Sequence, residues 1–235
     1  MRTLSLAAIL ALLLGGCAPA IQGYSIRESR GAETRRMAEV LDPLLVALDL
    51  PSLRTITAAS RCKFGFAVVR TSKVNVWSTP ATESPCVYFS LFVTEGALAA
   101  PTDELMAMIA HELGHIMLRH TPQSSGQASY SNDEWRAIQR QELEADRFAV
   151  ALLKRLRAST RIASCEAVGR FLRRGVADWY GQSISARMDD AVIERAESAE
   201  AACTSIEVAL PVAVTPVSLA PAADGAVAAD IERSF

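Results

Sequence analysis

The stretch His111-Glu112-Leu113-Gly114-His115 decides how this chain is interpreted, because it holds two of the three histidines of the 235-residue protein. In a helix, residues four positions apart lie one turn apart on the same face, so both imidazoles project together. Two neutral imidazoles placed in this way can share one Zn²⁺, with Glu112 beside them as a base for a zinc-bound water. Because the motif is short, a chance match on a surface helix is the alternative.

The residues on either side of the motif predict a buried helix from about Asp103 to His120. Thr102 is a favourable N-cap, and the two acidic residues after it suit the first turn, where the helix dipole favours negative charge. Pro122 marks the end of the helix. His120 would lie about 180° around the helix from His111, so we interpret it as structural and not as a ligand. The apolar face comprises Leu105, Ile109, Leu113 and Ile116 at helical spacing.

A second predicted helix supplies the third ligand. A capping box at residues 131–134 opens this helix. Glu142 interrupts the apolar stripe that follows, and a carboxylate in such a place should be paired or bound to a metal. Glu144 would lie about 200° around the helix, among outer arginines. We therefore predict Glu142, and not Glu144, as the ligand. The stripe comprises Trp135, Ile138, Ala145, Ala149, Leu152 and Leu156.

Asp146 falls one turn after Glu142, on nearly the same face of this second helix. It is placed to accept a hydrogen bond from the second ring nitrogen of a ligand histidine, and His111 is the preferred partner. This hydrogen bond would fix the tautomer of that ring. The alternative is that Glu142 and Asp146 form ion pairs with Arg140 or Arg147. Those two arginines project elsewhere around the helix, so the metal interpretation is preferred.

The HELGH motif and the sequence E-L-E-A-D at residues 142–146 together resemble the gluzincin metallopeptidases of the HtpX-like and CAAX-prenyl-protease-like family. The likeness is closer to soluble bacterial members of the periplasmic BepA and LoiP types and to mitochondrial Oma-like relatives. It extends over about residues 33–201. The segments 87–90, 94–98 and 119–120 also resemble this family. Either motif alone would be a weak indication, but the two together are specific.

The resemblance implies an α+β fold that is predominantly helical: a zincin-like metallopeptidase domain with a small antiparallel-type β-sheet packed on the HELGH helix. It also implies that His111, His115 and Glu142 bind one Zn²⁺. Glu112 would then be the general base, which activates water for attack on a peptide carbonyl and passes the proton to the leaving amine. Asp146 would support a ligand histidine from behind.

One departure from the family concerns the stabilisation of the oxyanion. Many relatives carry a later His-Pro and an arginine near the zinc, whereas no histidine follows His120 in this chain. Arg187 and Arg195 lie in the corresponding C-terminal region, but the sequence places neither of them at the site. The oxyanion-stabilising residue therefore stays unassigned.

Short β-rich segments before the HELGH helix predict a small sheet. Residues 71–73 would turn one hairpin, and the last strand could pair with an extended substrate by β-addition. The predicted strands are Arg54–Ala59, Phe64–Arg70, Val74–Trp77 and Val87–Ser90. The further predicted helices are Glu33–Leu48, with Pro43 near a kink or break, and Ile162–Arg174 and Ala186–Ala201, which would pack behind the two metal-binding helices.

The N-terminus predicts a lipoprotein of the bacterial cell envelope. A short positive start precedes an apolar run, Leu4–Leu14, which has signal-peptide proportions and is short for a membrane span. The run ends in L-G-G-C at residues 14–17, which resembles a lipobox and implies cleavage before Cys17 and lipidation of Cys17. Ala18 then favours a periplasm-facing protein of the outer membrane, anchored by acyl chains. An ordinary secretory signal is the alternative.

Four cysteines remain after Cys17, and an even number in an oxidising compartment indicates two disulfides. Cys62–Cys86 and Cys165–Cys203 are the preferred pairs, because they would staple the strand region and the C-terminal helices separately. The other two connectivities stay open. Zinc ligation by thiolates is a further alternative, although no C-x-x-C spacing supports it, and free buried thiols are another.

The chain is predicted to contain one folded domain. The segments are a signal peptide at residues 1–16, a lipidated linker at 17–32, the metallopeptidase domain at 33–203 and a disordered tail rich in Ala, Pro and Val at 204–235. The loop at 121–130 is either a plain surface loop or a mobile flap. The net charge of −2 gives no indication of nucleic-acid binding. A solvated basic face is predicted at Arg170, Arg173 and Arg174.

Two functions of different classes are compatible with these features. One is a zinc endopeptidase that cleaves unfolded or misassembled envelope proteins, so that its partners are protein or peptide substrates. The other is a metal-stabilised periplasmic chaperone or outer-membrane assembly factor with weak or no proteolysis. Glu112 favours the first, because binding alone does not require a base. The oligomeric state is not indicated.

Overall fold

The computed structural model of the chain describes residues 25–50, 65–78, 90–120, 131–179 and 186–205. These residues form an α+β fold that is mostly helical, with one small sheet. The strands are β1 (Ile26–Arg27), β2 (Gly65–Val69), β3 (Val76–Ser78) and β4 (Ser90–Thr94). The helices are α1 (Gly31–Ala47), α2 (Glu95–Ala99), α3 (Thr102–Met117), α4 (Asn132–Arg157), α5 (Glu166–Trp179) and α6 (Ala186–Thr204).

The sheet is mixed, so the prediction of an antiparallel-type sheet was wrong. Its strand order is β1-β2-β4-β3, with β2 and β4 parallel and both outer strands antiparallel to their neighbours. The hairpin predicted at residues 71–73 is also wrong, because β3 pairs with β4 and not with β2. The physical reason lies in β4, whose S-L-F-V-T sequence is a nearly continuous apolar run suited to a central position between two strands.

The strand predicted at Val87–Ser90 lies farther along the chain, at Ser90–Thr94, and residues 87–89 fall outside the described part. Strand β4 has neighbours on both sides, so it cannot accept a substrate by β-addition. Among the described strands, the outer one next to the HELGH helix is β3, which packs against α3. The predicted strand Arg54–Ala59 also lies outside the described residues.

Ordered structure begins ahead of residue 33, within the segment predicted to be a linker. Strand β1 pairs with β2, and α1 starts at Gly31. The Arg27 guanidinium binds Glu33 at 2.7 Å and Glu95 at 2.9 Å, which ties β1 to α1 and to α2. Helix α1 continues through Pro43 and does not break there.

Helix α3 is the centre of the core. It is buried nearly all round, which explains why its sequence is rich in Leu, Met, Ile and Ala. Pro101 is its N-cap, so Thr102 is the first helical residue and not the predicted cap, and the helix ends at Met117 and not at His120. Helices α1 and α4 pack on α3, and β3 covers another part of it. Fully buried side chains include Leu105, Met106, Ile109 and Leu113.

Helices α5 and α6 pack on each other and against α3 and α4, as the sequence predicted. A disulfide joins Cys165, just before α5, to Cys203 near the end of α6, with a Cα–Cα distance of 5.6 Å. This is one of the two pairs preferred from the sequence, and the other, Cys62–Cys86, lies outside the described residues. The described helices include none long and apolar enough to cross a membrane.

The basic face predicted on α5 is an ion-pair network and not simply a solvated surface. Glu104 on α3 is buried, and the Arg174 Nε atom lies 2.9 Å from its carboxylate. Arg170 pairs with Asp103 and lies 3.6 Å from Glu104, while Arg173 binds Glu200 of α6 at 2.9 Å. A buried carboxylate needs such partners, which the helical pattern of α5 alone did not reveal.

Candidate metal centre

The site lies where α3 and α4 approach most closely. Gly114, inside HELGH, allows this approach, because a Cβ atom at this position would lie 3.0 Å from the Cα atom and 3.1 Å from the carbonyl oxygen of Ala145. Helix α4 opens with the expected capping box, in which the Glu134 N–H donates to Ser131 and the Ser131 N–H donates to Glu134. The close packing brings α4 carboxylates against the α3 histidines.

Three side chains present ligand atoms to one point: His111, His115 and Glu142. The two Nε2 atoms lie 3.0 Å apart, and the Glu142 carboxylate oxygens lie 3.4 Å from His111 Nε2 and 3.5 Å from His115 Nε2. Tetrahedral zinc with ligands at about 2.0–2.1 Å has edges of about 3.3 Å, so this donor set fits the ion. Three protein ligands also leave a fourth position for water or substrate.

A second grouping of donor atoms in the described residues does not form a metal site. It comprises Cys165, Glu166 and Cys203. The two sulfur atoms are joined in the disulfide and therefore offer no thiolate. This leaves the histidine–glutamate grouping as the candidate in the described part of the chain.

Asp146 supports His111 from behind. Its Oδ1 lies 2.8 Å from His111 Nδ1, and both side chains are buried. When the His111 Nδ1–H group donates to this carboxylate, the Nε2 lone pair is left to face His115 and Glu142. This is the arrangement that a ligand histidine needs, because the carboxylate fixes both the tautomer and the ring orientation.

Arg195 of α6 lies at the site, where the sequence alone could not place it. Its Nε lies 2.7 Å from Asp146 Oδ2, and its Nη2 lies 2.9 Å from Glu142 Oε2. The two carboxylates therefore do form ion pairs, with Arg195 and not with the suspected Arg140 or Arg147. The helical periodicity of α6 contained a signal, because Arg195 shares a face with the buried residues Val192 and Ala199, which lie about one turn before and after it.

The charges of this cluster keep both carboxylates ionised. Burial raises the pKa of Glu142, but the positive charge of Arg195 and the contacts with the histidines outweigh it, so that the net pKa lies well below its usual value. The pKa of Asp146 is lowered by the same balance, in which Arg195 and His111 overcome burial. Ionised carboxylates are the form that binds a metal or accepts from a ligand histidine.

The pKa values of the two histidines are shifted in opposite directions. Burial lowers the pKa of His111, but the hydrogen bond and charge of Asp146, and those of Glu142, outweigh burial and raise it to about 10. Burial and the neighbouring charge of His111 lower the pKa of His115 to about 3. In the metal-free site, His111 is therefore the ring that takes up a second proton and a positive charge, and a metal ion must displace that proton to bind both rings.

Glu112 contacts strand β3 and also interacts electrostatically with His111 and Glu142. Its Oε2 accepts a hydrogen bond of 2.7 Å from the Ser78 hydroxyl, at the end of β3. Burial raises the pKa of Glu112, although the His111 charge and the Ser78 hydrogen bond act in the opposite direction. A raised pKa suits a carboxylate that must take up a proton and release it again. Ser78 was not identified from the sequence.

His120 lies outside helix α3, and its ring contacts a ligand. The His120 Nδ1 atom is 2.9 Å from His115 Nδ1, and its Nε2 atom is 3.1 Å from Glu144 Oε2. It is absent from the group of converging ligand atoms. The geometry assumed from the sequence, with His120 about 180° from His111 on a continuous helix, was wrong because the helix ends at Met117.

Gly114→Ala is expected to weaken zinc binding by about 10-fold, because the new methyl group would push α4 and its Glu142 away from the histidines. Competition with a chromophoric chelator measures the affinity. Gly169→Ala is the matched control: this helical glycine lies on α5, and its new Cβ would meet the flexible side chain of Glu200. Equal zinc affinities for the two variants would contradict the packing role of Gly114.

Residues 34–132 match the family model for peptidase family M48. The match covers 99 of the 235 residues and makes this part of the chain similar to the M48 metallopeptidases. Peptidases of this family are typically zinc-dependent, in agreement with the histidine–glutamate group that could hold a metal. No curated protein and no solved structure matches the chain.

The matched region runs from α1 through HELGH to the first residue of α4. Glu142, Asp146 and Arg195 lie beyond it, so their place at the site rests on the geometry alone. The specific BepA-like, LoiP-like or Oma-like relationship is not part of what the family model supports.

Proposed function

We propose that this protein is a zinc-dependent endopeptidase that hydrolyses unfolded or misassembled proteins of the bacterial envelope. The observation that carries the proposal is the convergence of His111, His115 and Glu142 beside Glu112. A His₂Glu set with an open fourth position is typical of catalytic zinc, and a purely structural zinc site would be closed by a fourth protein ligand. The M48 match supports the peptidase class.

Each side chain of the site has its own role in the proposed peptide hydrolysis. His111, His115 and Glu142 would hold the zinc ion, which would supply Lewis acidity for polarising the peptide carbonyl and acidifying a water molecule. Glu112 takes the proton from that water as general base and then donates it to the leaving amine. The Ser78 hydroxyl holds the carboxylate of Glu112 in place at 2.7 Å. Asp146 and Arg195 keep His111 and Glu142 oriented toward the ion.

The proposed location is the envelope, with the protein anchored by lipid on Cys17 and facing the periplasm. The support is the sequence of residues 1–18, whose apolar run ends in the lipobox-like L-G-G-C. The Cys165–Cys203 disulfide agrees with an oxidising compartment, because such bonds are rare in reducing cytosol.

The test is zinc analysis and cleavage of casein by the purified full chain. We expect one zinc per chain and casein fragments, which stop when a chelator removes the metal and return when zinc is added back. A chain that takes up no zinc would refute the proposal. Uptake of one zinc with binding of casein but no cleavage would instead favour the assembly-factor function, for which the missing late histidine is the supporting observation.

A further inference from the structure

The backbone at the end of α3 turns His120 back onto the site. Leu118 caps the helix, and Arg119 has a positive φ of 55°. The N–H of His120 donates to the His115 carbonyl at 3.0 Å, and the N–H of Arg119 donates to the Ile116 carbonyl at 3.2 Å. These are the two hydrogen bonds of a Schellman motif, which reverses the chain direction. On a continuous helix, His120 would have lain about 140° away from His115.

The reversed chain creates a line of hydrogen bonds behind His115. The His115 Nε2 atom faces His111 and Glu142, while its Nδ1 atom faces His120 Nδ1 at 2.9 Å. On the far side of the second ring, His120 Nε2 meets Glu144 Oε2 at 3.1 Å. His120 is held firmly in this place, because only 7% of its side chain is exposed, whereas 56% of Glu144 is exposed.

The line has one consistent assignment of protons when His115 binds a metal through Nε2. A neutral imidazole has one donor nitrogen and one acceptor nitrogen. His115 must then carry its proton on Nδ1 and donate it to His120 Nδ1. His120 in turn carries its proton on Nε2 and donates it to the Glu144 carboxylate. Each contact joins a donor to an acceptor, so the tautomer of every ring is fixed.

We propose that His120 is a positioning residue for the ligand His115, with Glu144 fixing the tautomer of His120. This inference rests on the proposed function, in which His115 binds zinc. It gives the second histidine of HELGH a support that corresponds to Asp146 behind His111. Because the partner of His115 is an imidazole and the carboxylate stands one ring farther away, Glu144 contributes less than His120, and its exposure to solvent weakens it further.

His120 itself is not a fourth ligand in this arrangement. Its Nδ1 atom contacts the His115 nitrogen that points away from the ligand atoms, and the two ring centroids lie 5.0 Å apart at an interplanar angle of 73°. The metal-binding atoms converge from His111, His115 and Glu142. Among the described residues no further ligand joins this group, which leaves the fourth position for water or substrate.

The experiment compares His120→Leu with His120→Asn in the full chain. Leucine has a similar size but no acceptor, whereas the Oδ1 atom of asparagine can take the place of Nδ1 and accept from His115. We expect His120→Leu to lower the zinc affinity about 10-fold and His120→Asn to stay within about threefold of wild type. The visible absorption spectrum of the cobalt-loaded proteins should change in the leucine variant and be restored in the asparagine variant.

Thermal unfolding of the metal-free proteins separates the positioning of His115 by His120 from a simple packing role of His120. Wild-type zinc affinity and cobalt spectrum in His120→Leu would overturn the proposal, and so would equal losses in both variants, which would indicate a shape effect. Wild-type protein that binds zinc but does not cleave casein would overturn the peptidase function and leave the affinity comparison valid. Wild-type protein that takes up no zinc would overturn both.

Discussion

Glu112→Gln is expected to reduce casein cleavage by about 10³-fold while the variant keeps one zinc per chain. The amide has the size of the carboxylate and can still accept the Ser78 hydrogen bond, but it cannot take a proton from water. The proposed zinc ligands are His111, His115 and Glu142, which the change leaves in place. Cleavage rates, zinc content and thermal unfolding are measured on the same preparations.

The matched control for this prediction is Glu39→Gln. Glu39 is an exposed residue of α1, so the same chemical change far from the site should leave cleavage at the wild-type rate. If Glu112→Gln cleaved casein as fast as this control, another group would be the base. If it lost both zinc and activity, Glu112 would have a structural role in the metal site that its contact with Ser78 does not indicate.

The ligand set could be predicted because its signals are local. The two histidines share one helical turn, and Glu142 interrupts an apolar stripe, so helical periodicity alone places each of them on an inward face. Arg195 and Ser78 could not be found in this way, because they meet the site across 49 and 34 residues of sequence. Their positions depend on how α6 and β3 pack on α3 and α4, which no local pattern specifies.

In the fold too, features with local sequence signals were predicted better than features that depend on packing. Helices α1, α4 and α6 begin or end within a few residues of their predicted bounds, because capping residues and periodicity mark them. The sheet was predicted less well. Strands β2 and β4 pair in parallel, although β3 lies between them in the sequence. The sequence of residues 71–73 instead suggested a hairpin between β2 and β3. Strand order is decided by burial of β4 in the centre, a property of the whole sheet.

The position of His120 was predicted wrongly because the predicted end of α3 was wrong. Extending α3 to residue 120 placed this ring on the far side of the helix. The observed end at Met117, with Arg119 at a positive φ, brings the ring onto His115. Helix ends are marked most clearly by glycine at the left-handed position, and an arginine there gives no such signal.

Gly96→Ala is expected to destabilise the protein by about 3 kcal/mol, the largest effect that we expect from a single methyl group. A Cβ atom at residue 96 would lie 2.2 Å from the carbonyl oxygen of Ser72 and 2.5 Å from that of Lys73. Both are backbone atoms, so no side chain can turn aside to make room. The Gly96 N–H also donates to the Thr71 carbonyl at 3.0 Å, which holds the two segments together.

This strain would reach the active site through β3. The segment 71–73 leads directly into β3, whose last residue, Ser78, holds Glu112. We therefore expect Gly96→Ala to lower the melting temperature by about 6–12 °C and to lower casein cleavage as well, since the base loses its support. Zinc content should change less, because the proposed ligands belong to α3 and α4 and not to the segments that the new methyl group would push apart.

Gly31→Ala is the control, because its Cβ would meet only the end of the Arg35 side chain, at 3.8 Å. Alanine in the first turn of α1 should leave stability unchanged or slightly higher, since glycine is the poorer helix former. If Gly96→Ala melted at the temperature of Gly31→Ala, the contact between α2 and the segment 71–73 would be looser than the structure describes. A fall in cleavage without a fall in stability would instead assign the contact to the placement of Ser78 alone.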